Sequence, residues 1–265
     1  QTFRLGDISI TGAPAGIDAT TKNISAKSFV ASASSGLINL RGTLDFNGAN
    51  GFNVTTTGTN DIILGQLTTG GGAASVAMAT GGVAYPVSSS FAVNIGTAGT
   101  GGVITVATGT ATTNASGVIT SIVITSAGSG YVTGNTYTVV GSTFTTAATV
   151  TATALNGSIL ISNSQILQLL GNVSSSGSIT ESGAGTVVLG DAGAVSPTIT
   201  VSTTTAGSGI VFGKNITLNR DGVLTAAGAG NVTLSGTVDN ATATARGLAL
   251  NSTSGVISLN GNIGQ

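Results

Sequence analysis

The chain has 265 residues and a net charge of −1, and only 6% of its residues are charged, whereas a typical globular domain is about a quarter charged. Its few Lys and Arg residues are scattered, which argues against the clustered cations that nucleic-acid binding requires. It has no Cys and no His, so a disulfide framework is excluded and the commonest catalytic bases and nucleophiles are missing.

Apolar residues make up 40% of the sequence, mostly Ala, Val, Ile and Leu, and 42 residues are Gly. This is not the composition of a disordered chain. No unbroken apolar stretch reaches the roughly 18 residues of a membrane-spanning helix, so we expect no span. The sequence begins Gln1-Thr2-Phe3, without a methionine or signal segment. We therefore expect a processed product or an excerpt of a longer chain.

The first predicted region, residues 1–72, consists of short runs in which apolar and polar residues alternate between Gly, Asn or Ser. Alternation with a period of two, bounded by turn residues, predicts β-strands. These runs are Asp7–Thr11, Leu37–Leu40, Phe52–Thr55 and Ile62–Leu64. We expect them to belong to coils of a β-solenoid.

The second region, residues 73–154, has longer β segments and contains all three tyrosines, Tyr85, Tyr131 and Tyr137. Those segments are 102–106, 117–124 and 137–140, with hairpin-type turns at 128–131 and 134–135. We interpret this region as a small antiparallel β module inserted at a solenoid corner, with the Gly-rich segment 70–72 as its hinge. An irregular continuation of the solenoid is the alternative.

The third region, residues 155–265, returns to short alternating runs such as Val187–Leu189, Ile216–Leu218 and Ile257–Leu259. We expect further coils of the same solenoid. Residues 164–170 fit either a short helix or a bulged strand with core leucines.

Two ten-residue phrases, one in each outer region, are similar. Residues 36–45 read GLINLRGTLD, and residues 230–239 read GNVTLSGTVD. Repeated strand–turn–strand units are typical of stacked coils, none of which buries its apolar face alone. The sequence therefore predicts an all-β chain, a right-handed parallel β-solenoid with an inserted antiparallel module.

The phrases 232–238 and 248–264 resemble coils of filamentous-haemagglutinin-like bacterial exoproteins. The segment 181–190, ESGAGTVVLG, is similar to the strand repeat of autotransporter passenger regions, and 114–140 resembles small β modules of phage structural proteins and marine bacterial surface proteins. These resemblances imply an extracellular, bacterial surface location. The chain contains no haemagglutinin secretion domain and no autotransporter membrane barrel, so the route of export stays open.

The ionisable residues give little support for an enzyme, a cofactor or a metal site. Glu181 is the only glutamate and lies in a Gly/Ser-rich segment, where we expect it to be solvated. The aspartates are far apart in sequence, although stacking could align Asp45 with Asp61. Asp45 and Asp239 occupy equivalent positions in the two phrases, and we expect Asx turns there in preference to calcium binding. We therefore predict no enzymatic activity.

Two further patterns have ordinary explanations. Asn-x-Ser/Thr sequons are consistent with turns, although glycan attachment stays open. They include Asn23, Asn53, Asn172, Asn215, Asn231 and Asn251. The threonine runs 149–153 and 203–205 could present a flat ice-binding face, but β propensity and hydroxyl solubility account for them.

The predicted function is structural: a secreted bacterial protein whose solenoid gives length and stiffness to a surface fibre, filament or adhesin stalk. The predicted partner is another copy or an adjacent repeat, stacked head to tail, since end coils leave unpaired strand edges. A phage fibre component is one alternative. Another is a carbohydrate-binding adhesin that contacts cell-surface glycans through Tyr85, Tyr131 or Tyr137; these tyrosines are also candidates for lateral contacts, and core packing is their usual role.

Overall fold

The computed structural model describes residues 5–46, 51–70, 72–97, 106–126, 131, 134–191 and 198–264. Within them the chain forms 27 β-strands and no helix. The strands before the insert are β1 (Leu5–Ala13), β2 (Ile17–Asp18), β3 (Ile24–Ala33), β4 (Ile38–Leu40), β5 (Leu44–Phe46), β6 (Phe52–Thr56), β7 (Ile62–Leu64) and β8 (Leu67–Thr69). Those of the insert are β9 (Gly72–Thr80), β10 (Ser90–Ile95), β11 (Ala107–Thr113), β12 (Ile119–Ser126), β13 (Thr136–Val140) and β14 (Thr149–Asn156).

Thirteen shorter strands follow the insert. They are β15 (Ile159–Ser162), β16 (Leu167–Leu169), β17 (Val173–Ser175), β18 (Ile179–Glu181), β19 (Val187–Leu189), β20 (Ile199–Thr203), β21 (Ile210–Phe212), β22 (Ile216–Leu218), β23 (Gly222–Ala226), β24 (Val232–Leu234), β25 (Val238–Asn240), β26 (Leu248–Ser252) and β27 (Ile257–Leu259). Residues 164–170 therefore contain a strand, β16, and the helical alternative is wrong.

The chain divides into two compact units. One comprises Gln1–Phe46, Asn50–Thr69 and Ser158–Gln265, and the other comprises Asn47–Ala49 and Gly70–Gly157. The chain leaves the first unit after β8 and returns to it at β15. The predicted strand at 102–106 and turn at 128–131 lie largely outside the described residues.

The first unit is a parallel β-solenoid built from three ladders of strands. Ladder A runs β3-β5-β8-β17-β20-β23-β26, and ladder C runs β2-β4-β7-β16-β19-β22-β25. Ladder B runs β1-β3-β6-β15-β18-β21-β24-β27. Ladders A and B share the long strand β3, whose first residues pair with β5 and whose last residues pair with β6. The predicted all-β, parallel solenoid fold is confirmed.

The solenoid core consists of apolar columns that run from coil to coil. In ladder B, the residues that face inward at one position are Ile8, Phe29, Phe52, Ile159, Ile179, Ile210, Val232 and Ile257. Ile38, Leu40, Val232 and Leu234, on which the solenoid prediction depended, are all buried. Burial of each such side chain contributes roughly 1.5–3 kcal/mol. Each coil thus covers the apolar face of its neighbour.

The second unit is an antiparallel sheet in the order β12-β11-β10-β13-β14-β9. The N–H of Ile119 donates to the C=O of Gly81 at 2.9 Å, which brings the start of β12 next to the end of β9. The unit has its own buried cluster, separate from the solenoid core. The predicted inserted antiparallel module is confirmed.

Candidate functional site: coil corners and the last coil

The three tyrosines that the sequence singled out are all buried in the core of the inserted module. The rings of Tyr131 and Tyr137 pack edge to face with centroids 4.8 Å apart. Tyr85 packs against Phe91 and Phe144. None of the three rings presents an open face on which a sugar could stack. All three tyrosines therefore have the core-packing role that is usual for this residue.

The hydroxyls of two of these tyrosines satisfy buried backbone groups. The N–H of Ala107 donates to the Tyr131 hydroxyl at 2.7 Å, and that hydroxyl donates to the C=O of Ile95. The N–H of Ala148 donates to the Tyr85 hydroxyl at 2.9 Å. Burial raises the pKa of the Tyr131 hydroxyl. These contacts hold strands and loops of the module together.

The solenoid corners contain a recurring arrangement of polar groups, which we call a corner clamp. In the clamp of Asn215, the side-chain Oδ1 accepts the N–H of Thr237 in the next coil at 3.0 Å. The residue after the asparagine, Ile216, donates its N–H to the C=O of the same Thr237 at 2.8 Å. One Asn–apolar pair thereby binds both backbone polar groups of a single residue in the next coil.

Among the described residues, both contacts are seen at five corners, always with Asn or Asp directly before a strand. The clamps are Asn23 with Thr43, Asp61 with Ile166, Asn215 with Thr237, Asp221 with Gly247, and Asn231 with Val256. Asn172, directly before β17, likewise accepts the N–H of Thr200 in a neighbouring coil at 2.9 Å. Each added hydrogen bond contributes about 0.5–1.5 kcal/mol. Since the acceptor belongs to one coil and the donor to the next, the clamps fix the register between coils.

The clamps also explain the two similar phrases in the sequence. Gly42-Thr43 stacks on Lys22-Asn23, and Gly236-Thr237 stacks on Lys214-Asn215. The first phrase joins β4 to β5 and the second joins β24 to β25, so they occupy different corners of the solenoid. What they share is a Lys-Asn-Ile sequence beneath them in the preceding coil.

Glu181 is a buried member of the core, and the expectation that it would be solvated is wrong. It is the last residue of β18, faces inward and is 1% exposed. Its Oε1 accepts the N–H of Gly183 at 2.8 Å, and its Oε2 accepts the N–H of Gly213 in the next coil at 2.9 Å. Burial raises the pKa of this carboxyl above its usual 4.5, while these N–H groups and nearby Lys214 oppose the rise.

The aspartates occupy other places than the sequence suggested. Asp45 and Asp239 lie at the half-buried centres of β5 and β25, so the expected Asx turns are wrong. Asp45 pairs with Thr68 in ladder A, whereas Asp61 forms a clamp before β7, so stacking does not align the two. Among the described residues, no three His, Cys, Asp or Glu side chains lie together in a way that could hold a metal ion.

The last coil, residues 247–264, exposes side chains that are buried in the interior coils of the same columns. Ile257 is 41% exposed, Leu259 46% and Ile263 50%. Their equivalents one coil earlier, Val232, Leu234 and Val238, are 0%, 1% and 3% exposed. Hollows of about 250 Å³ and 210 Å³ lie along this face. Within the described residues, the last coil therefore leaves these apolar columns exposed.

No protein-family model matches this sequence, and no curated protein and no solved structure is significantly similar to it. The resemblance to filamentous-haemagglutinin-like and autotransporter repeats stays a prediction. In the described part of the chain, no helix has the length and apolar character needed to cross a membrane.

Proposed function

We propose that this chain is a structural segment of an extracellular bacterial fibre, filament or adhesin stalk, in which β-solenoid coils stack along one axis. The observation that carries the proposal is the continuous pairing of three parallel ladders, tied from coil to coil by corner clamps. In such a stack the ladder hydrogen bonds run along the axis. Stretching or bending the stack must therefore break several of these hydrogen bonds together.

The uses of the carboxylates also support a structural role over catalysis. Asp61 and Asp221 accept backbone N–H groups in clamps, and Glu181 accepts two N–H groups inside the core. A carboxylate whose oxygens accept hydrogen bonds from backbone N–H groups stabilises the fold at that point. These three carboxylates thus stabilise the solenoid.

The surface composition supports an extracellular setting for such a rod. Outward-facing strand positions carry mainly Thr, Ser and Asn, which keep the surface hydrated with 6% charged residues in the whole chain. The resemblance of several phrases to secreted bacterial solenoids supports the same location. The adhesin alternative has lost its proposed aromatic platform, because the tyrosines are buried.

Electron microscopy of the purified chain, with light scattering on the same sample, tests this function. Fibres of constant width with a fixed axial repeat are the expected result. A uniform trimer would favour the phage-fibre alternative. A dispersed monomer that binds a sugar saturably would overturn the structural role in favour of an adhesin.

A further inference from the structure

We propose that the last coil docks the first coil of a second copy of this chain in one defined register, through ladders B and C. This inference rests on the proposed structural function and names the partner surface. Copy-to-copy pairing would place β1 of the second copy beside β27, and β2 beside Ile263. In ladder A the described part of the first coil is Leu5 of β1, which pairs with Ala26, so the register is argued from ladders B and C.

The apolar columns of the two ends match in position and in residue type. The open columns end in Ile257 and Leu259 in ladder B. The same two columns begin, at the other end of the chain, with Ile8 and Ile10, which are half-buried and pack on the core. The column of Ile263 in ladder C likewise begins with Ile17. Docking therefore continues three columns with apolar residues and covers the exposed face.

The free edges of the ladders also have complementary hydrogen-bonding groups. Within ladder B, the first residue of a strand donates its N–H to the residue before its partner in the next coil, as Val232 does to Val256 at 3.0 Å. Continuing the pattern, the N–H of Ile257 would donate to the C=O of Asp7 of the second copy. In ladder C, Val238 donates to Asn262 at 2.9 Å. The same rule makes Ile263 the donor to Gly16 of the second copy.

A further corner clamp would form at this interface. Asn262-Ile263 is an Asn–apolar pair at the corner that Asn215 occupies two coils earlier, and it stacks on Thr237-Val238. In the docked register, the side-chain Oδ1 of Asn262 would accept the N–H of Gly16, whose C=O accepts the N–H of Ile263. The last described coil thus has the same register-fixing pair of residues as the interior coils.

Charge also favours a second copy over an unrelated acidic or basic partner. Residues 247–264 contain no Asp, Glu, Lys or Arg. The acidic residues of the first coil, Asp7 and Asp18, therefore meet no like charge across the interface. An uncharged apolar edge is complementary to another strand edge of the same kind.

Disulfide cross-linking tests the register directly, because the chain has no cysteine of its own. Ser9 and Ser258 occupy the outward position next to the two apolar columns of ladder B, and the docked register places them opposite each other. Adjacent strands lie about 4.8 Å apart, within the Cα separation of roughly 4.4–6.8 Å that a disulfide spans. Single variants Ser9→Cys and Ser258→Cys are mixed and oxidised, and each is also oxidised alone.

The expected result is a cross-linked dimer from the mixture and little from either variant alone, because only head-to-tail contact joins the two positions. Asn260→Cys is the matched control: it is exposed on the same edge but displaced by two residues, roughly 7 Å along the strand. Equal cross-linking of Ser9→Cys with both partners would overturn the register. Fibres that form without the Ser9–Ser258 cross-link would overturn this interface and leave the structural function standing, whereas monomers without cross-links would overturn both.

The clamp has its own test. Asn262→Ala should weaken self-association by about fivefold, from the loss of one hydrogen bond at the interface. Asn260→Ala, two residues away, should leave the association constant unchanged in analytical ultracentrifugation. Equal effects of the two substitutions would overturn the Asn262 contact.

Discussion

Replacing Gly236 with Ala should destabilise the solenoid, because the corner where it stacks has no room for a Cβ atom. That atom would lie 2.4 Å from the backbone N of Asn215, 2.4 Å from the backbone C of Lys214 and 2.5 Å from Oδ1 of Asn215. Two of these contacts are with backbone, so a side-chain rotation cannot relieve them. Overpacking costs about 1–3 kcal/mol, and displacement of the Asn215 clamp adds about 0.5–1.5 kcal/mol. We therefore expect a loss of about 1.5–4.5 kcal/mol.

Gly247→Ala is the matched control. Gly247 is also a corner glycine, and its N–H donates to Oδ1 of Asp221 in a clamp. The Cβ added there would have Asp221 Oδ1 as its nearest neighbour, at 4.0 Å. In thermal unfolding followed by circular dichroism, Gly236→Ala should lower the Tm by roughly 5–15 °C, and Gly247→Ala should stay within a few degrees of the parent. Equal Tm values for the two variants would refute the close stacking of corners.

Two further substitutions test the core. Ile38→Ala should cost about 2–5 kcal/mol in urea unfolding, whereas Leu37→Ala, at the neighbouring but 39% exposed position, should cost less than about 1 kcal/mol; similar costs would contradict the inward orientation of Ile38. Glu181→Gln tests the buried carboxyl. Because the folded-state pKa of Glu181 is raised above 4.5 by burial, with Lys214 opposing, the folded state keeps a proton that the unfolded state has lost as pH rises past 4.5. The stability of the parent relative to the variant should therefore be highest below pH 4.5 and fall as pH rises through the folded-state pKa. A difference that is flat or that rises with pH would contradict this.

The strands and their inward faces could be predicted from the sequence because each coil repeats the same local pattern. Alternation such as Ile38-Asn39-Leu40 fixes which side chains face the core, and it does so within three residues. The change to longer segments and the three tyrosines marked the inserted module for a similar reason. Local patterns were sufficient for both predictions, since a solenoid coil depends on its immediate neighbours.

The corner chemistry could not be predicted, because its partners lie one coil apart in the chain. The Asn before a strand is a visible signal at Asn23, Asn215 and Asn231, but as a sequon or turn it suggested only local structure. Recognising a clamp required aligning each Asn with the Gly-Thr phrase of the next coil. The Gly/Ser-rich segment around Glu181 suggests solvation, yet Gly183 of that segment and Gly213 of the next coil supply the N–H groups that its carboxylate accepts.

The clamps also help to explain why the chain has so few charges. Outward residues of a parallel ladder stack in columns with a spacing of about 4.8 Å. Two like charges at that separation repel by about 1 kcal/mol in water and by more near a protein surface, and the penalty recurs at every coil. In ladder C, one such column contains only two charges, Asp18 in the first coil and Asp239 near the last, with uncharged residues between them. A stack of many coils favours neutral hydrogen-bonding groups at its corners, and asparagine meets that requirement in the clamps of Asn23, Asn215 and Asn231.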